Sequence, residues 1–168
     1  VHSNGLTLAR SVLLENGDPN ERPDVLGGRS LAEELLVPTE IYVRGALELL
    51  RADLGVTGLF HLTGGGLLNF LRLGQNVGYR ITDPLDPQAV YGLIAERGNV
   101  PVHEMYEVFN MGCGFAVTVP QESAEAAADL LASHHPGSRV IGEVSATAGI
   151  VDVPSLGITG DENGLRAA

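Results

Sequence analysis

The stretch His61-Leu62-Thr63-Gly64-Gly65-Gly66 follows the apolar run Gly58-Leu59-Phe60 and precedes an amphipathic segment, Leu67-Leu68-Asn69-Phe70-Leu71. Three consecutive glycines weaken a helix or a strand, so a backbone that contains them needs positive φ angles or close approach to another group. A loop between a strand and a helix directs N–H groups at its occupant, typically a phosphate. The succession of strand, glycine-rich loop and helix therefore predicts an anion-binding site. A tight turn in which His61 acts only as a cap explains the same residues equally well.

Strands and helices alternate loosely on both sides of this stretch. That pattern predicts an α+β fold (layered α/β), with a single mixed β-sheet packed with helices. The predicted strands cover residues 59–62, 77–81, 115–119, 139–144 and 150–153, with a short extended piece at 41–43. The predicted helices cover residues 6–13 (capped by Ser3 or Asn4), 31–37 (opened by the capping box of Ser30 and Glu33), 46–54, 67–71, 87–97, 102–108 and 122–133.

The length of 168 residues suits one domain, for which we expect a core at residues 1–148 and a tail at residues 149–168 that frays from Asp161 onward. No apolar run approaches the length of a membrane span, and no leader with a cleavage site is evident. The single cysteine, Cys113, agrees with a reducing compartment and suits core packing better than catalysis. We therefore expect a soluble, cytoplasmic protein.

The charge composition excludes several classes of function. The net charge is −11, and the ten basic residues are all arginine. An acidic surface repels nucleic acid and anionic membranes, so neither is an expected partner. The absence of lysine excludes Schiff-base chemistry and a P-loop. Such a surface is typical of a salt-adapted host and predicts stability that rises with salt, although GC-rich coding sequence also exchanges lysine for arginine.

Two further segments have a similar composition. His2-Ser3-Asn4-Gly5 places an imidazole before the first predicted helix, where plain capping by Ser3 or Asn4 is the simpler explanation. The block from Glu104 to Gly114 contains an acid, two aromatic residues and Asn110 ahead of a glycine pair. Core packing, with Asn110 bonded to loop backbone, would account for it.

Together these segments resemble one family, in their order and spacing. The chain is similar to the C-terminal domain of phosphoribosylformylglycinamidine cyclo-ligase (AIR synthetase), within the AIR synthase-related superfamily. The matching segments are His2-Ser3-Asn4-Gly5-Leu6-Thr7-Leu8-Ala9-Arg10, Pro38-Thr39-Glu40-Ile41-Tyr42-Val43, His61-Leu62-Thr63-Gly64-Gly65-Gly66, the Glu104 to Gly114 block and, more weakly, Arg139 to Glu143.

The resemblance implies half of an ATP-dependent enzyme of de novo purine biosynthesis that closes formylglycinamidine ribonucleotide to aminoimidazole ribonucleotide. In such enzymes ATP phosphorylates the formyl amide oxygen, and an amine then displaces phosphate to close the imidazole ring. The resemblance also implies an N-terminal domain, absent from this sequence, that binds ATP and Mg²⁺, and a homodimer when the protein is full length. We expect this chain alone to be inactive.

The resemblance also assigns candidate site residues. His2 and His61 are expected to be catalytic, as a proton shuttle or an electrophilic clamp, because histidine titrates near neutrality. The residues expected to bind the substrate or its phosphate are Ser3, Asn4, Gly5, Thr63, Gly64, Gly65, Gly66, Asn69, Arg72 and Asn110. No metal ligand is expected.

The segment after Gly66 departs from the family pattern. It keeps Asn69 and Arg72 but lacks the usual acid and proline, which puts the substrate contacts of this segment in doubt. Two alternatives therefore stay open. One is a divergent paralogue, since the superfamily includes thiamine-monophosphate kinase and selenophosphate synthetase, and the other is a non-catalytic binding or interaction module. His134-His135 lacks further ligands at metal spacing and is interpreted as surface.

Overall fold

The computed structural model describes residues 1–2, 4–15, 17–73 and 76–168. Its α-helices are α1 Leu6–Leu14, α2 Leu31–Leu35, α3 Val43–Arg51, α4 Ala89–Gly98, α5 Val102–Val108 and α6 Ala124–His134. Its strands are β1 Gly58–His61, β2 Gly78–Ile81, β3 Phe115–Thr118, β4 Gly142–Ser145, β5 Val151–Val153, β6 Ile158–Asp161 and β7 Gly164–Ala167. Short 3₁₀ helices lie at Asp24–Leu26, Gly66–Arg72, Gln121–Ser123 and Pro154–Leu156.

The predicted α+β class with a mixed sheet is confirmed, but the strands divide between two sheets rather than one. β1 and β3 form an antiparallel pair, with Phe60 opposite Ala116. The other sheet has the order β4-β2-β5-β6-β7 and is antiparallel except for the β2–β5 pair. Phe70 packs against Phe60 of β1 and Tyr79 of β2, with ring centroids 4.9 and 5.2 Å apart. An aromatic layer therefore occupies the junction of the two sheets.

Two local predictions are wrong. Residues 41–43 do not form a strand, because Val43 begins α3 and its β-branched side chain is tolerated in the first helical turn. The residues from Asp161 onward do not fray, because the Asp161 carboxylate accepts the Asn163 backbone N–H at 2.8 Å in the turn between β6 and β7. The segment that we expected to be a tail instead adds strands β5 to β7 to the larger sheet.

The helix that we predicted at residues 67–71 after the glycine loop is a 3₁₀ helix, Gly66–Arg72. α2 begins with the predicted capping box, in which Ser30 and Glu33 each accept the other's backbone N–H. α1 instead begins at Gly5, in a left-handed conformation with no side-chain cap, so capping by Asn4 is wrong; Ser3 lies outside the described residues.

Helix α5 is central to the arrangement of the candidate site. Met105 and Tyr106, in the second half of this helix, and Phe109, directly after it, are buried in the main core. The helix packs against both the 3₁₀ helix Gly66–Arg72 and strand β7. In the described part of the chain, no helix has the length and apolar character that crossing a membrane requires.

Candidate functional site

His2 and His61 lie close together although 58 positions separate them in the sequence. Their ring centroids are 6.2 Å apart, with the ring planes tilted by 56°. His61 is exposed at the end of β1, and His2 is half-buried just before α1. The two imidazoles therefore lie near each other in the fold, while their catalytic role stays a prediction.

The C-terminal end of α5 holds both histidine segments in place. Gly5 has a φ of 85°, and a Cβ there would collide with the Phe109 ring. Gly66 has a φ of 46°, and a Cβ there would collide with the Tyr106 carbonyl oxygen and lie 2.9 Å from that of Phe109. Each position therefore requires glycine for two reasons. Its backbone φ is positive, and it packs too closely on the segment from Tyr106 to Phe109 to admit a Cβ.

The two segments also touch each other directly. A Cβ at Gly64 would lie 3.2 Å from Asn4 Nδ2, which places the Asn4 amide beside the glycine loop. Asn4 is exposed. Of the predicted substrate-binding residues, the structure therefore brings Asn4, Gly5 and the glycine loop together, and Ser3 lies outside the described residues.

The glycine loop uses part of its hydrogen-bonding capacity internally. The Gly66 N–H donates to the carbonyl oxygen of the half-buried Thr63 at 2.9 Å, and the Leu68 N–H donates to that of Gly65 at 2.8 Å. Within the described residues the N–H groups of Gly64 and Gly65 have no such acceptor. The arrangement combines both interpretations of the sequence, with a tight turn at Gly66 and free donors at the two glycines before it.

Asn69 and Arg72 occupy different positions relative to this loop. Asn69 is buried beneath it, and its Nδ2 donates to Gly66 O at 2.7 Å and to Gly64 O at 3.3 Å. Arg72 is exposed, and its Nη2 lies 3.7 Å from the Cβ position of Gly65. Asn69 therefore shapes the loop, whereas the Arg72 guanidinium lies beside it, where a positive charge would attract an anion.

Asn110 is buried two residues after the end of α5. Its Oδ1 accepts the Tyr91 hydroxyl at 3.0 Å and the Gly112 N–H at 3.1 Å, as the packing interpretation predicts. It also lines a cavity of about 620 Å³, together with His2 and Tyr42. His61 and the three loop glycines do not line that cavity.

Tyr42 is a site residue that the sequence interpretation gave no role. Its hydroxyl lies 3.1 Å from His2 Nε2, and its ring centroid lies 5.9 Å from that of His61. Burial is the main cause that lowers the pKa of His2, with smaller contributions from the Val1 amino group and His61, against an opposing one from Glu40. The sequence feature that could have identified Tyr42 is its place in the segment from Pro38 to Val43, which matches the family.

His135 is also part of this cluster, so its assignment to the solvated surface is wrong. Its side chain is 20% exposed, its ring centroid lies 5.1 Å from that of Tyr42, and its Nδ1 lies 3.4 Å from Glu40 Oε1. Its neighbour His134 bonds through Nε2 to Glu48 at 2.7 Å. The turn after α6 directs His135 toward Tyr42, a long-range contact that local spacing does not indicate.

Comparison with known proteins agrees with the resemblance. Residues 1–153 match the family described as AIR synthase related protein, C-terminal domain. The chain belongs to this family. It is 49% identical over 151 residues to phosphoribosylformylglycinamidine cyclo-ligase of Methanopyrus kandleri, a match that covers 90% of this chain and 43% of that protein.

Two further relatives carry the same name. The protein of Methanothermobacter thermautotrophicus is 42% identical over 147 residues, covering 86% of this chain and 42% of its own length. The protein of Methanocaldococcus jannaschii is 40% identical over 145 residues, covering 86% of this chain and 41% of its own length. This member of the AIR synthase-related family therefore spans less than half the length of these curated relatives.

Proposed function

We propose that this chain is the substrate-binding half of an ATP-dependent cyclo-ligase that closes formylglycinamidine ribonucleotide to aminoimidazole ribonucleotide. The observation that carries the proposal is the pairing of His2 with His61, whose ring centroids are 6.2 Å apart, beside a glycine loop in which the Gly64 and Gly65 N–H groups have no backbone acceptor among the described residues. The names of the relatives support the same reaction.

The chain's own groups suit two tasks in such a reaction. The N–H groups of Gly64 and Gly65, with the Arg72 guanidinium beside them, would bind the substrate phosphate without any lysine. The exposed His61 ring, next to the neutral His2 ring, would take up or release the proton that ring closure requires.

ATP supplies the phosphoryl group in the proposed reaction, and we assign its binding to a domain outside this chain. The described residues contain no cluster of three or more His, Cys, Asp or Glu side chains that could hold a metal ion. We therefore assign no Mg²⁺ ligand to this chain and derive no step through the ion. The proposal includes a cytoplasmic location and a homodimer of the complete protein.

The experiment is an assay of the product of the complete open reading frame that contains this chain. We expect formation of aminoimidazole ribonucleotide that depends on both ATP and formylglycinamidine ribonucleotide, and none from residues 1–168 alone. Thiamine monophosphate is the control substrate, since its phosphorylation would indicate a divergent paralogue. A folded protein that turns over neither substrate would contradict the proposal and favour a binding module.

A further inference from the structure

The Tyr42 ring is the centre of a cluster of aromatic side chains from four parts of the fold. It stacks on Phe115 at the start of β3, with ring centroids 5.4 Å apart and planes 16° apart. His135, after α6, lies 5.1 Å away, and His2 and His61 lie 5.8 and 5.9 Å away. The tyrosine therefore contacts both histidines of the proposed site.

The Tyr42 hydroxyl lies directly against Gly114, the residue before β3. A Cβ at Gly114 would collide with this hydroxyl and with Cε1 of His2. The absence of a side chain at Gly114 thus makes room for the contact between Tyr42 and His2 Nε2, at 3.1 Å. Phe115 holds the face of the tyrosine ring, and Gly114 accommodates its tip.

The protonation states of the pair follow from their surroundings. Burial raises the pKa of Tyr42 far above its ordinary value, and the Glu40 carboxylate adds to this, so the phenol keeps its proton. Burial, the Val1 amino group and His61 lower the pKa of His2, with Glu40 opposing them, so its ring is neutral near pH 7. A neutral imidazole has one nitrogen that donates and one that accepts.

Counting unsatisfied groups selects one of the two tautomers. His2 Nδ1 is buried and has no hydrogen-bond partner among the described residues. If the Tyr42 hydroxyl donates to Nε2, the Nδ1 proton alone lacks a partner. If the hydroxyl accepts from Nε2, the buried Nδ1 lone pair lacks a partner, and the hydroxyl of the half-buried Tyr42 has no second acceptor among the side-chain hydrogen bonds of the described residues. Donation to Nε2 uses the hydroxyl proton within the chain, which favours donation by Tyr42.

We propose that Tyr42 is a positioning residue that donates its hydroxyl proton to His2 Nε2 and so holds His2 as the neutral, Nδ1-protonated tautomer. Its relevance to catalysis rests on the proposed function. The tautomer itself does not, because it follows from the contacts of Tyr42, Gly114 and His2 within this chain.

The test is nitrogen-15 NMR of the histidine rings across pH, in the protein with and without Tyr42→Phe. We expect His2 to be Nδ1-protonated when neutral. Loss of one hydrogen bond, about 1 kcal/mol, should raise its pKa by about 0.7 units in Tyr42→Phe and mix the tautomers. Tyr79→Phe is the matched control, since the Tyr79 ring packs against Phe60 and Phe70 and should leave His2 unchanged.

Two results would overturn the inference. One is an Nε2-protonated neutral His2 in the unsubstituted protein, a result that does not depend on the folding of any variant. The other is a His2 pKa and tautomer in Tyr42→Phe identical to those in Tyr79→Phe. If the complete protein is active, the acid limb of its pH–rate profile should move to higher pH in Tyr42→Phe. An inactive protein with the expected NMR result would contradict the proposed function alone.

Discussion

The segments His2–Gly5 and His61–Gly66 each place a histidine a few residues ahead of glycine, but their glycines meet different neighbours. Gly5 packs against a side chain, the Phe109 ring, whereas Gly66 packs against backbone carbonyl oxygens of Tyr106 and Phe109. A ring can move by rotation about its side-chain bonds, but a carbonyl at the end of a buried helix cannot move alone. The same short motif is therefore adjustable in one segment and rigid in the other.

This difference separates packing from binding within the glycine run. Gly66 is required by the fold, whereas a Cβ at Gly65 would meet its neighbours at ordinary contact distance and one at Gly64 would press only on the exposed Asn4 side chain. Among the described residues, the N–H groups of Gly64 and Gly65 have no backbone acceptor. A triple glycine is thus not by itself a phosphate cradle. Gly66 fixes the conformation of the loop, and Gly64 and Gly65 supply the N–H groups that could bind an anion.

The largest expected effect is that of Gly66→Ala. A left-handed alanine and a collision with the Tyr106 carbonyl oxygen should lower the free energy of unfolding by about 3 kcal/mol. Gly65→Ala, whose Cβ would come no closer than 3.6 Å to the nearest atoms, should cost about 1 kcal/mol for its backbone conformation. Urea denaturation of the two variants measures the difference, and equal midpoints would show that Gly66 is not the rigid position.

Gly5→Ala should have an intermediate effect, about 2 kcal/mol, because the atoms it meets belong to the Phe109 ring. Shortening that ring should relieve part of the cost. In a double-mutant cycle with Phe109→Leu, the cost of Gly5→Ala should fall by about 1 kcal/mol. Additive free energies in the cycle would indicate that the two residues do not oppose each other.

Asn69→Ala should have a stability effect as small as that of Gly65→Ala, a loss of about 1 kcal/mol, because it removes hydrogen bonds to the Gly64 and Gly66 carbonyl oxygens. Asn76→Ala, at an exposed position, is the control and should stay within about 0.5 kcal/mol of the unsubstituted protein. If Asn76→Ala lowered the free energy of unfolding as much as Asn69→Ala does, Asn69 would have no special role in supporting the loop.

Elements with a strong local pattern were predicted correctly from the sequence. α5 has the predicted bounds, Val102–Val108, and α2 begins at its predicted capping box. The extended prediction at residues 41–43 failed because α3 begins at Val43 and buries Gly45 and Leu49 further along, while Ile41 and Val43 themselves stay exposed, so their β-branched propensity did not decide the local structure. The hairpin of β6 and β7 was missed although Asn163-Gly164 between two short strands is a hairpin signal.

The candidate site was predictable where a motif carried it. The resemblance singled out His2 and His61, whereas it gave no role to Tyr42 or His135. These two side chains meet through the turn after α6 and the start of α3, segments 93 positions apart in the sequence. No periodicity or spacing in one sequence encodes such a contact.

The central claim is that the rigid glycine loop presents His61 to a substrate beside His2. The most direct measurement compares turnover and melting temperature in His61→Ala and His103→Ala, within the complete protein. His103 lies on α5 and belongs to neither histidine segment. The account predicts that His61→Ala lowers turnover by about 100-fold with an unchanged melting temperature, and that His103→Ala does not. Normal turnover of a His61→Ala variant that melts earlier would contradict it, since His61 would then be a cap and nothing more.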